Sequence, residues 1–134
     1  MMENRPLPEI NDANRPYWDA ARRGELLLPR CNACAKFFIP PRAWCPHCFA
    51  KDIGWATASG RGTVASFSKL HIAPFEGYVS TFPYVLATVK LAEGPQLMAN
   101  IVNCDPDLVR VGSIVSVTFE TRAEGVVVPQ FELA

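Results

Sequence analysis

Four cysteines in the first half of this 134-residue chain have a spacing that suits metal binding. They form two Cys-x-x-Cys pairs with ten residues between the pairs, Cys31 with Cys34 and Cys45 with Cys48. Each pair places two thiolates on one tight turn, and two such turns facing each other supply the tetrahedral four-sulfur shell that zinc accepts. Because a closed shell leaves no position for water, we expect the metal to stabilise the fold and to take no part in catalysis.

The identity of the metal and of its ligands has alternatives. Iron competes with zinc, because Cys45-Pro46-His47-Cys48 looks like a rubredoxin knuckle and ligand identity alone does not separate the two metals. His47 could replace a cysteine, but both flanking cysteines are better placed. The fifth cysteine, Cys104, has no activating residue beside it in the sequence, so we predict a small buried hydrophobe and not a nucleophile.

The N-terminal segment and the composition bear on the cellular compartment. Residues 1–14 carry four charged side chains and no apolar run, so the sequence predicts neither a secretory signal nor a membrane span. A reducing cytoplasm is the expected location, which disfavours disulfide bonds between the cysteines. With 49% hydrophobic and 19% charged residues and a formal net charge of zero, the chain is predicted to be globular.

A short helix is predicted near Arg15–Arg23, ahead of the cysteines. Pro16 suits its first turn, and Gly24 would end it. Tyr17 and Trp18 stand side by side on this helix, where neighbouring side chains point about 100° apart. One of these two aromatic side chains is therefore available to bind a partner, unless both pack on the rest of the protein.

Apolar runs around the first cysteine pair predict the strands of a zinc ribbon. Leu26-Leu27-Leu28 leads into the first pair, and Phe37-Phe38-Ile39, followed by Pro40-Pro41-Arg42, returns toward the second. Gly60-Arg61-Gly62 then marks a change of module. We therefore predict three parts: an N-terminal segment with a short helix at residues 1–30, a rubredoxin-like zinc ribbon at 31–56, and a second domain at 57–134.

The second domain contains five short β-runs separated by turn residues. One of them alternates cleanly, with Val115, Val117 and Phe119 on one face and polar side chains on the other. Five antiparallel strands of this size predict a small barrel of the oligonucleotide/oligosaccharide-binding (OB) type, in a protein that is mainly β. The predicted strands are Thr63–Leu70, Phe82–Leu91, Gln96–Val102, Ser113–Glu120 and Val126–Leu133.

The order and spacing of these parts resemble a known family, over nearly the whole chain. The features that carry the resemblance are Tyr17-Trp18, Gly24-Glu25-Leu26, the two cysteine pairs with Pro40-Pro41-Arg42 between them, Trp55, Gly60-Arg61-Gly62-Thr63-Val64, Glu93-Gly94-Pro95, Asp105-Pro106 and Val111-Gly112. The chain is similar to the zinc-ribbon plus OB-fold proteins, long catalogued as a domain of unknown function, that accompany thiolase-like enzymes in acyl-coenzyme A (acyl-CoA) metabolism. Ala35 and Phe49 depart from the usual pattern, because such knuckles often carry glycine there, which eases a positive backbone φ.

The resemblance implies a non-catalytic accessory subunit in a hetero-oligomer. Its partner would be a larger thiolase-fold enzyme, a thiolase or a retro-aldolase, which would carry the nucleophile. This chain would help to admit or hold the acyl-CoA substrate, and positioning of that kind contributes to rate. The sequence agrees, because its two near-neutral bases, His47 and His71, lie in no recognisable catalytic motif.

A CoA ligand needs cations for its phosphates and a mostly apolar channel for its pantetheine arm. Arg42 and Arg61 are the first candidates for the phosphates. A long loop at residues 71–81 could line the channel. The candidates for ligand contact around this loop are Lys69, His71, Phe82 and Tyr84, and the candidates for contact with the partner enzyme are Phe75 and Tyr78, together with Tyr17 and Trp18.

Nucleic-acid binding is the rival interpretation, because zinc ribbons and OB folds both serve that purpose. From Arg15 to Lys51 the chain has seven basic residues against two acidic ones, so the cysteine segment is the basic part of a neutral molecule. The predicted barrel is net negative, however, and its strands offer few aromatic side chains on which bases could stack. A third hypothesis is an autonomous enzyme that acts on acyl-CoA.

Overall fold

The computed structural model describes residues 10–70, 84–122 and 125–134 of the chain, without the side chains of Leu70 and Tyr84. It contains one α-helix, one short 3-10 turn at Pro106–Leu108 and seven strands within those residues. The elements, in chain order, are α1 (Arg15–Arg22), β1 (Leu27–Cys31), β2 (Ile53–Thr57), β3 (Arg61–Leu70), β4 (Tyr84–Leu91), β5 (Gln96–Val102), β6 (Ile114–Thr121) and β7 (Val127–Leu133).

Helix α1 forms where the sequence predicts it, one residue shorter at its C-terminal end. It buries Ala20 and Ala21, small residues that let the helix approach β1 and β7 closely. The helix ends at Gly24, whose φ of 77° is a conformation that glycine adopts without steric cost. The amide of Gly24 donates to the carbonyl of Ala21, which satisfies one of the free carbonyls at this end.

The ribbon is an antiparallel pair of β1 and β2, with the cysteine knuckles in the segment that joins them. Cys31 pairs with Ile53 at one end and Leu27 with Thr57 at the other. The prediction that Phe37–Ile39 forms the second ribbon strand is wrong, since this run makes only one bridge, between Phe37 and Arg30. The reason is that the next two residues are prolines, which have no amide hydrogen to donate to a strand ladder.

The five barrel strands predicted from the sequence are all present and form a closed barrel in the order β3-β4-β5-β7-β6. Their ends differ from the predicted ends by at most two residues within the described chain. Four of the five neighbouring pairs are antiparallel, but β5 and β7 are parallel and pair only at Ile101 with Phe131 and at Val102 with Glu132. Closure of the barrel therefore depends on a short seam between β5 and β7.

The ribbon and the barrel share one hydrophobic core. Leu26 and Leu28, beside and within β1, are fully buried in the same cluster as the inward side chains of the barrel. Val64, Val85 and Phe131 supply its centre. The domain boundaries predicted from the sequence stay a prediction, but the packing across them is continuous. Among the described residues, no helix is long and apolar enough to cross a bilayer.

Candidate metal centre and ligand surfaces

The four cysteines of the two Cys-x-x-Cys pairs converge on one point. Their sulfur atoms all lie within 4.8 Å of one another. The Sγ atoms of Cys31 and Cys48 are 3.6 Å apart, and those of Cys34 and Cys45 are 3.7 Å apart. A tetrahedral zinc ion with Zn–S bonds of about 2.3 Å needs sulfurs about 3.8 Å apart, so this shell fits a metal ion of that size. All four thiols are free of disulfide bonds.

The two knuckles are built by the same backbone hydrogen bonds. In the first, the carbonyl of Cys31 accepts from the Ala35 amide at 2.8 Å. In the second, the carbonyl of Cys45 accepts from the Phe49 amide at 2.9 Å. Ala35 and Phe49 have φ values of 65° and 64°, the left-handed conformation that glycine often supplies in such knuckles. The two departures from the family pattern thus leave the knuckle geometry intact.

Backbone amides point at the sulfur atoms and favour their ionised form. The Cys34 amide donates to Cys31 Sγ at 3.4 Å, and the His47 amide donates to Cys45 Sγ at 3.3 Å. The hydrogen bond from Cys34 lowers the pKa of Cys31, against a smaller opposing effect of burial. Burial raises the pKa of Cys45, but the amides of Cys48 and His47 together outweigh it and lower the pKa to about 7.

The pKa of Cys48 is shifted in the opposite direction, upward. A backbone hydrogen bond from Ala50 acts to lower its pKa, but the neighbouring Cys31 sulfur and burial outweigh that effect and raise the pKa to about 12. The chain alone therefore does not hold four thiolates at neutral pH. A divalent cation at the centre would neutralise them, because coordination to a metal deprotonates a thiol outright. The donor set and its electrostatics both fit a bound metal ion.

Arg42 lies in a groove between the ribbon and the turn that joins β4 to β5. The groove has a volume of about 480 Å³ and also contains Lys36, His47 and Glu93. The side chains of Arg42 and Lys36 have no hydrogen-bond or ion-pair partner within the described residues. Arg42 is therefore free to meet an anion in a partly apolar groove.

Arg61 lies in a different cavity, at the start of β3. This cavity, of about 710 Å³, is also lined by Lys90 from β4 and Ile114 from β6. The structure thus separates Arg42 and Arg61, which the sequence proposed together for phosphate binding. Glu93 lines both cavities and stands between them.

Lys69, another candidate for ligand contact, forms an ion pair with Asp107 of the 3-10 turn. This pair ties the end of β3 to the segment before β6. His71, Phe75, Tyr78 and Phe82 lie outside the described residues, as does the side chain of Tyr84. The assignments of these five residues to ligand or partner contact stay predictions, as does that of Lys69.

The two helix aromatics have different surroundings. Tyr17 is half-buried and packs against the hydrophobic core, and burial raises the pKa of its hydroxyl to about 12. Trp18 meets the Tyr17 ring edge to face, with ring centroids 4.9 Å apart at 84°. Trp18 also lines two small cavities, of about 130 and 190 Å³. Of the two, Trp18 is the better candidate for contact with a partner.

Three residues that the sequence analysis did not propose for ligand or partner contact belong to the candidate surfaces. Glu93 was noted only as part of the Glu93-Gly94-Pro95 feature, although its side chain accepts a hydrogen bond from the amide of Ser59, 34 residues earlier. Trp44 and Phe49 are exposed by 47% and 73% on either side of the second cysteine pair. Exposure of that size in an apolar side chain beside a metal knuckle is not visible in the sequence pattern.

The fifth cysteine lies away from the metal shell. Cys104 is half-buried and packs against the core. Burial and, to a smaller extent, the charge of Asp105 raise the pKa of its thiol, so its reactivity at neutral pH is lowered.

Comparison with protein families gives two adjoining matches. Residues 18–54 match the family of the rubredoxin-like zinc ribbon domain of ChsH2. Residues 55–120 match the family of the C-terminal OB-fold domain of ChsH2. The junction between the matches falls inside β2, close to the boundary at residues 56 and 57 that the sequence predicts.

Several relatives are similar over most of this chain. A DUF35 domain-containing scaffold protein of Methanothermobacter thermautotrophicus is 35% identical over 87% of this chain and 88% of its own length. A Thermomonospora curvata protein named "Probable enoyl-CoA hydratase alpha subunit" is 38% identical over 81% of this chain. The 3-oxo-4,17-pregnadiene-20-carboxyl-CoA hydratase alpha subunit of Mycobacterium tuberculosis is 32% identical over 77%. The chain spans about a third of the length of these last two relatives, 33% and 32%.

Two solved structures are also similar to this chain over most of its length. A chain of the Ltp2-ChsH2(DUF35) aldolase matches with a TM-score of 0.85 and 33% identity, over 95% of this chain and 98% of that one. A DUF35-family protein from Sulfolobus solfataricus matches with a TM-score of 0.66 at 16% identity, a likeness of fold alone.

Proposed function

Because this chain belongs to the DUF35 family, in which a rubredoxin-like zinc ribbon is joined to an OB-fold domain, we propose that it is a non-catalytic accessory subunit of a thiolase-fold enzyme. The observation that carries the proposal is the likeness to a chain of an aldolase whose name joins two components, Ltp2 and ChsH2(DUF35). The word scaffold in the name of the archaeal relative supports the same role. A thiolase or a retro-aldolase would be the partner, in a hetero-oligomer.

We further propose that the subunit helps to position an acyl-CoA substrate. Both hydratase relatives carry a CoA thioester in their names, which supports this class of ligand. The unpaired cations Arg42 and Arg61, each in its own cavity, supply what the phosphates of CoA require. The subunit would contribute by positioning, while the partner supplies the reacting groups.

Zinc is the proposed metal, bound by Cys31, Cys34, Cys45 and Cys48 in a structural role. The match to a zinc ribbon family supports zinc over iron, while the four-sulfur shell fits either metal. A cytoplasmic location is proposed with it, because a reducing compartment keeps the thiols free to bind metal.

Capture of the partner tests the central proposal. The tagged protein is purified from its native cells at moderate salt, and the chains that co-purify are identified by mass spectrometry. We expect a thiolase-fold enzyme that stays with the tagged chain at a fixed ratio through size-exclusion chromatography. Capture of nucleic acid or ribosomal proteins without such an enzyme would overturn the proposal.

Nucleic-acid binding is the second candidate function, favoured by the unpaired cations of the ribbon. The outward positions of β4 and β5 that the structure describes argue against it, since residues such as Thr88 and Met98 offer no aromatic ring for base stacking. A salt titration separates the two functions. Nucleic-acid affinity should fall steeply between about 50 and 200 mM salt through counterion release, whereas binding of a CoA ligand has fewer charges to lose.

A further inference from the structure

Two large aromatic side chains are exposed on the second cysteine knuckle. Trp44 precedes Cys45 and is 47% exposed, and Phe49 follows Cys48 and is 73% exposed. No other tryptophan or phenylalanine in the part of the chain that the structure describes is exposed to this extent. Trp44 and Phe49, called here the knuckle aromatics, bound one tight turn. Exposed apolar surface that is concentrated in one place marks a contact site.

The backbone of Phe49 is unfavourable for this residue type. Its φ of 64° lies in the left-handed region, which glycine adopts without the steric strain that a Cβ causes. The hydrogen bond that closes the knuckle, from the Phe49 amide to the Cys45 carbonyl, does not need the ring. Strained residues of this kind are concentrated at functional sites. Neither burial nor knuckle geometry therefore accounts for a phenylalanine at this position.

The knuckle aromatics lie in a segment that is charged with one sign. Residues 26–51 include four basic side chains and no aspartate or glutamate. Arg42 and Lys51 flank the second knuckle, and both are exposed. Asp52, the next acidic residue, accepts a hydrogen bond from Asn32 Nδ2 at 3.0 Å. Zinc bound by four thiolates is itself negative, but by less than the four basic side chains are positive. This surface therefore repels a second copy of itself and is complementary to an acidic one.

We propose that the knuckle aromatics dock into an apolar pocket with an acidic rim on the thiolase-fold enzyme. Trp44 and Phe49 fill the pocket, as aromatic side chains at the centre of an interface do. Lys51 faces the carboxylates of the rim. The inference rests on the proposed function for the existence of the enzyme. It adds the surface of this chain that meets the enzyme and the chemistry of the site that receives it.

Single-stranded nucleic acid is another occupant that combines aromatic rings with cations. It binds along a groove that holds about 4–16 nucleotides per OB fold, with successive bases stacked on a row of rings. The knuckle offers two rings in one turn, which suits a single point of contact with a folded protein. Binding of a single-stranded oligonucleotide is therefore measured beside binding of the enzyme.

Substitution by glycine separates a role in binding from a role in folding. Phe49→Gly removes the ring and relieves the backbone strain, so it should weaken enzyme binding about tenfold or more and leave the thermal midpoint unchanged or higher. Ala35→Gly is the matched control, because Ala35 holds the same position of the first knuckle at a φ of 65°. It relieves the same strain but removes no ring, so enzyme affinity should not change.

Two further variants test the other contacts. Trp44→Ala should weaken enzyme binding about tenfold or more, for the same reason as Phe49→Gly. Lys51→Glu reverses a charge beside the second knuckle and should slow association, most strongly at low salt. Isothermal titration calorimetry and stopped-flow mixing with the purified enzyme measure affinity and association rate. Metal content and thermal unfolding are measured on every zinc-loaded variant.

Unchanged enzyme affinity in both Phe49→Gly and Trp44→Ala would overturn the inference and leave the accessory-subunit proposal intact. Loss of zinc and a lowered thermal midpoint in Phe49→Gly would also overturn it, because the ring would then stabilise the knuckle. Oligonucleotide binding that Phe49→Gly abolishes would assign the rings to nucleic acid. If the unaltered chain binds no thiolase-fold enzyme, the inference and the accessory-subunit proposal fail together.

Discussion

The metal centre depends on two single residues that adopt an unfavourable backbone conformation. A residue with a Cβ in the left-handed region costs roughly 1–2 kcal/mol relative to the right-handed helical region. Ala35 and Phe49 both adopt it, at φ values of 65° and 64°. In this conformation their amides donate to the carbonyls of Cys31 and Cys45 and close the two knuckles. The knuckle geometry thus outweighs the local cost at both positions.

Loss of one sulfur ligand should remove the metal and the ribbon structure together. Cys31→Ser replaces a fully buried ligand of the shell, and metal binding and folding are coupled in such small modules. We expect loss of bound metal by elemental analysis and loss of ordered ribbon signals in an NMR spectrum. Cys104→Ser is the matched control and should keep a full metal equivalent. Full metal content in Cys31→Ser would contradict the four-sulfur site.

The buried hydroxyl of Tyr17 should make stability depend on pH in the alkaline range. Its pKa in the folded protein is about 12, against about 10 in an unfolded chain. The unfolded state therefore loses its proton first, and the free energy of unfolding should fall as pH rises from about 10 to 12, by roughly 3 kcal/mol at most. Urea unfolding at several pH values measures this loss.

Tyr17→Phe isolates that effect, since it keeps the ring and removes the hydroxyl. Its free energy of unfolding should fall less over the same pH range than that of the unaltered protein. Equal pH dependence in the two proteins would show that Tyr17 ionises freely in the folded state.

Among the strand pairs of the barrel, β5 and β7 have the shortest backbone ladder. Only two residue pairs join these strands, and they are parallel. The Gln130 side chain extends the ladder, because its Oε1 accepts from the Asn100 backbone amide at 2.8 Å and its Nε2 donates to Asn100 Oδ1 at 3.4 Å. Gln130 is only 4% exposed. The buried amide side chain of Gln130 thus supplies hydrogen bonding between β5 and β7 beyond the two paired residues.

Gln130→Ala should destabilise the barrel more than the loss of an exposed polar side chain would, because Gln130 is buried. The substitution leaves the Asn100 amide without its acceptor in a buried place, which costs about 1–3 kcal/mol. Urea unfolding should show this loss, with Gln96→Ala at the exposed start of β5 as a control that changes little. An equal small effect of both substitutions would mean that water reaches the seam.

At the scale of the whole molecule, helix, ribbon and barrel are packed as one unit around a shared core. Leu26 and Leu28 bring the ribbon into the barrel core, and the amide of Ala58 donates to the carbonyl of Leu26 at 2.8 Å. Surfaces for a partner must therefore lie on the outside of this unit. Trp18 on the helix is one side chain placed there.

Trp18→Ala should weaken assembly with the captured enzyme more than it weakens folding. Trp18 packs on Tyr17 by one edge and lines cavities on its other sides, so its removal should leave the core largely intact. The comparison is Tyr17→Ala, which should lower stability strongly, because Tyr17 packs on the core. Thermal unfolding and partner titration measure the two effects. A parallel loss of both in Trp18→Ala would identify Trp18 as a core residue.

Local sequence patterns predicted the helix, the metal ligands and the barrel strands. They failed where strand pairing depends on residues far apart in the chain. Three of these patterns involve residues close together in the chain: the cysteine spacing, the proline in the first turn of α1 with the glycine after it, and the alternation in β6. The structure contains the cysteine cluster, the helix and the strand that they predict. Strand β2 was missed because Ile53-Gly54-Trp55 has no clear alternation and pairs through the register of β1.

The candidate ligand surfaces were predicted less completely, for a related reason. Arg42 and Arg61 could be chosen by charge, but their separation into two cavities depends on how the ribbon meets the turn between β4 and β5. The role of Glu93 depends on Ser59, to which no local pattern connects it. Contacts between residues that are far apart in the chain can be read only from the folded structure.

The packing of the first helix against the last strand has a consequence for synthesis on the ribosome. Helix α1 contacts β7, and β7 follows it by about a hundred residues. At roughly 5–20 residues per second, the helix waits about 5–20 seconds for the strand that completes its environment. The cysteine pairs emerge well before β7 does. The nascent chain therefore has all four metal ligands available before β7 is made, so metal can order the ribbon while the side of the helix that contacts β7 is still uncovered.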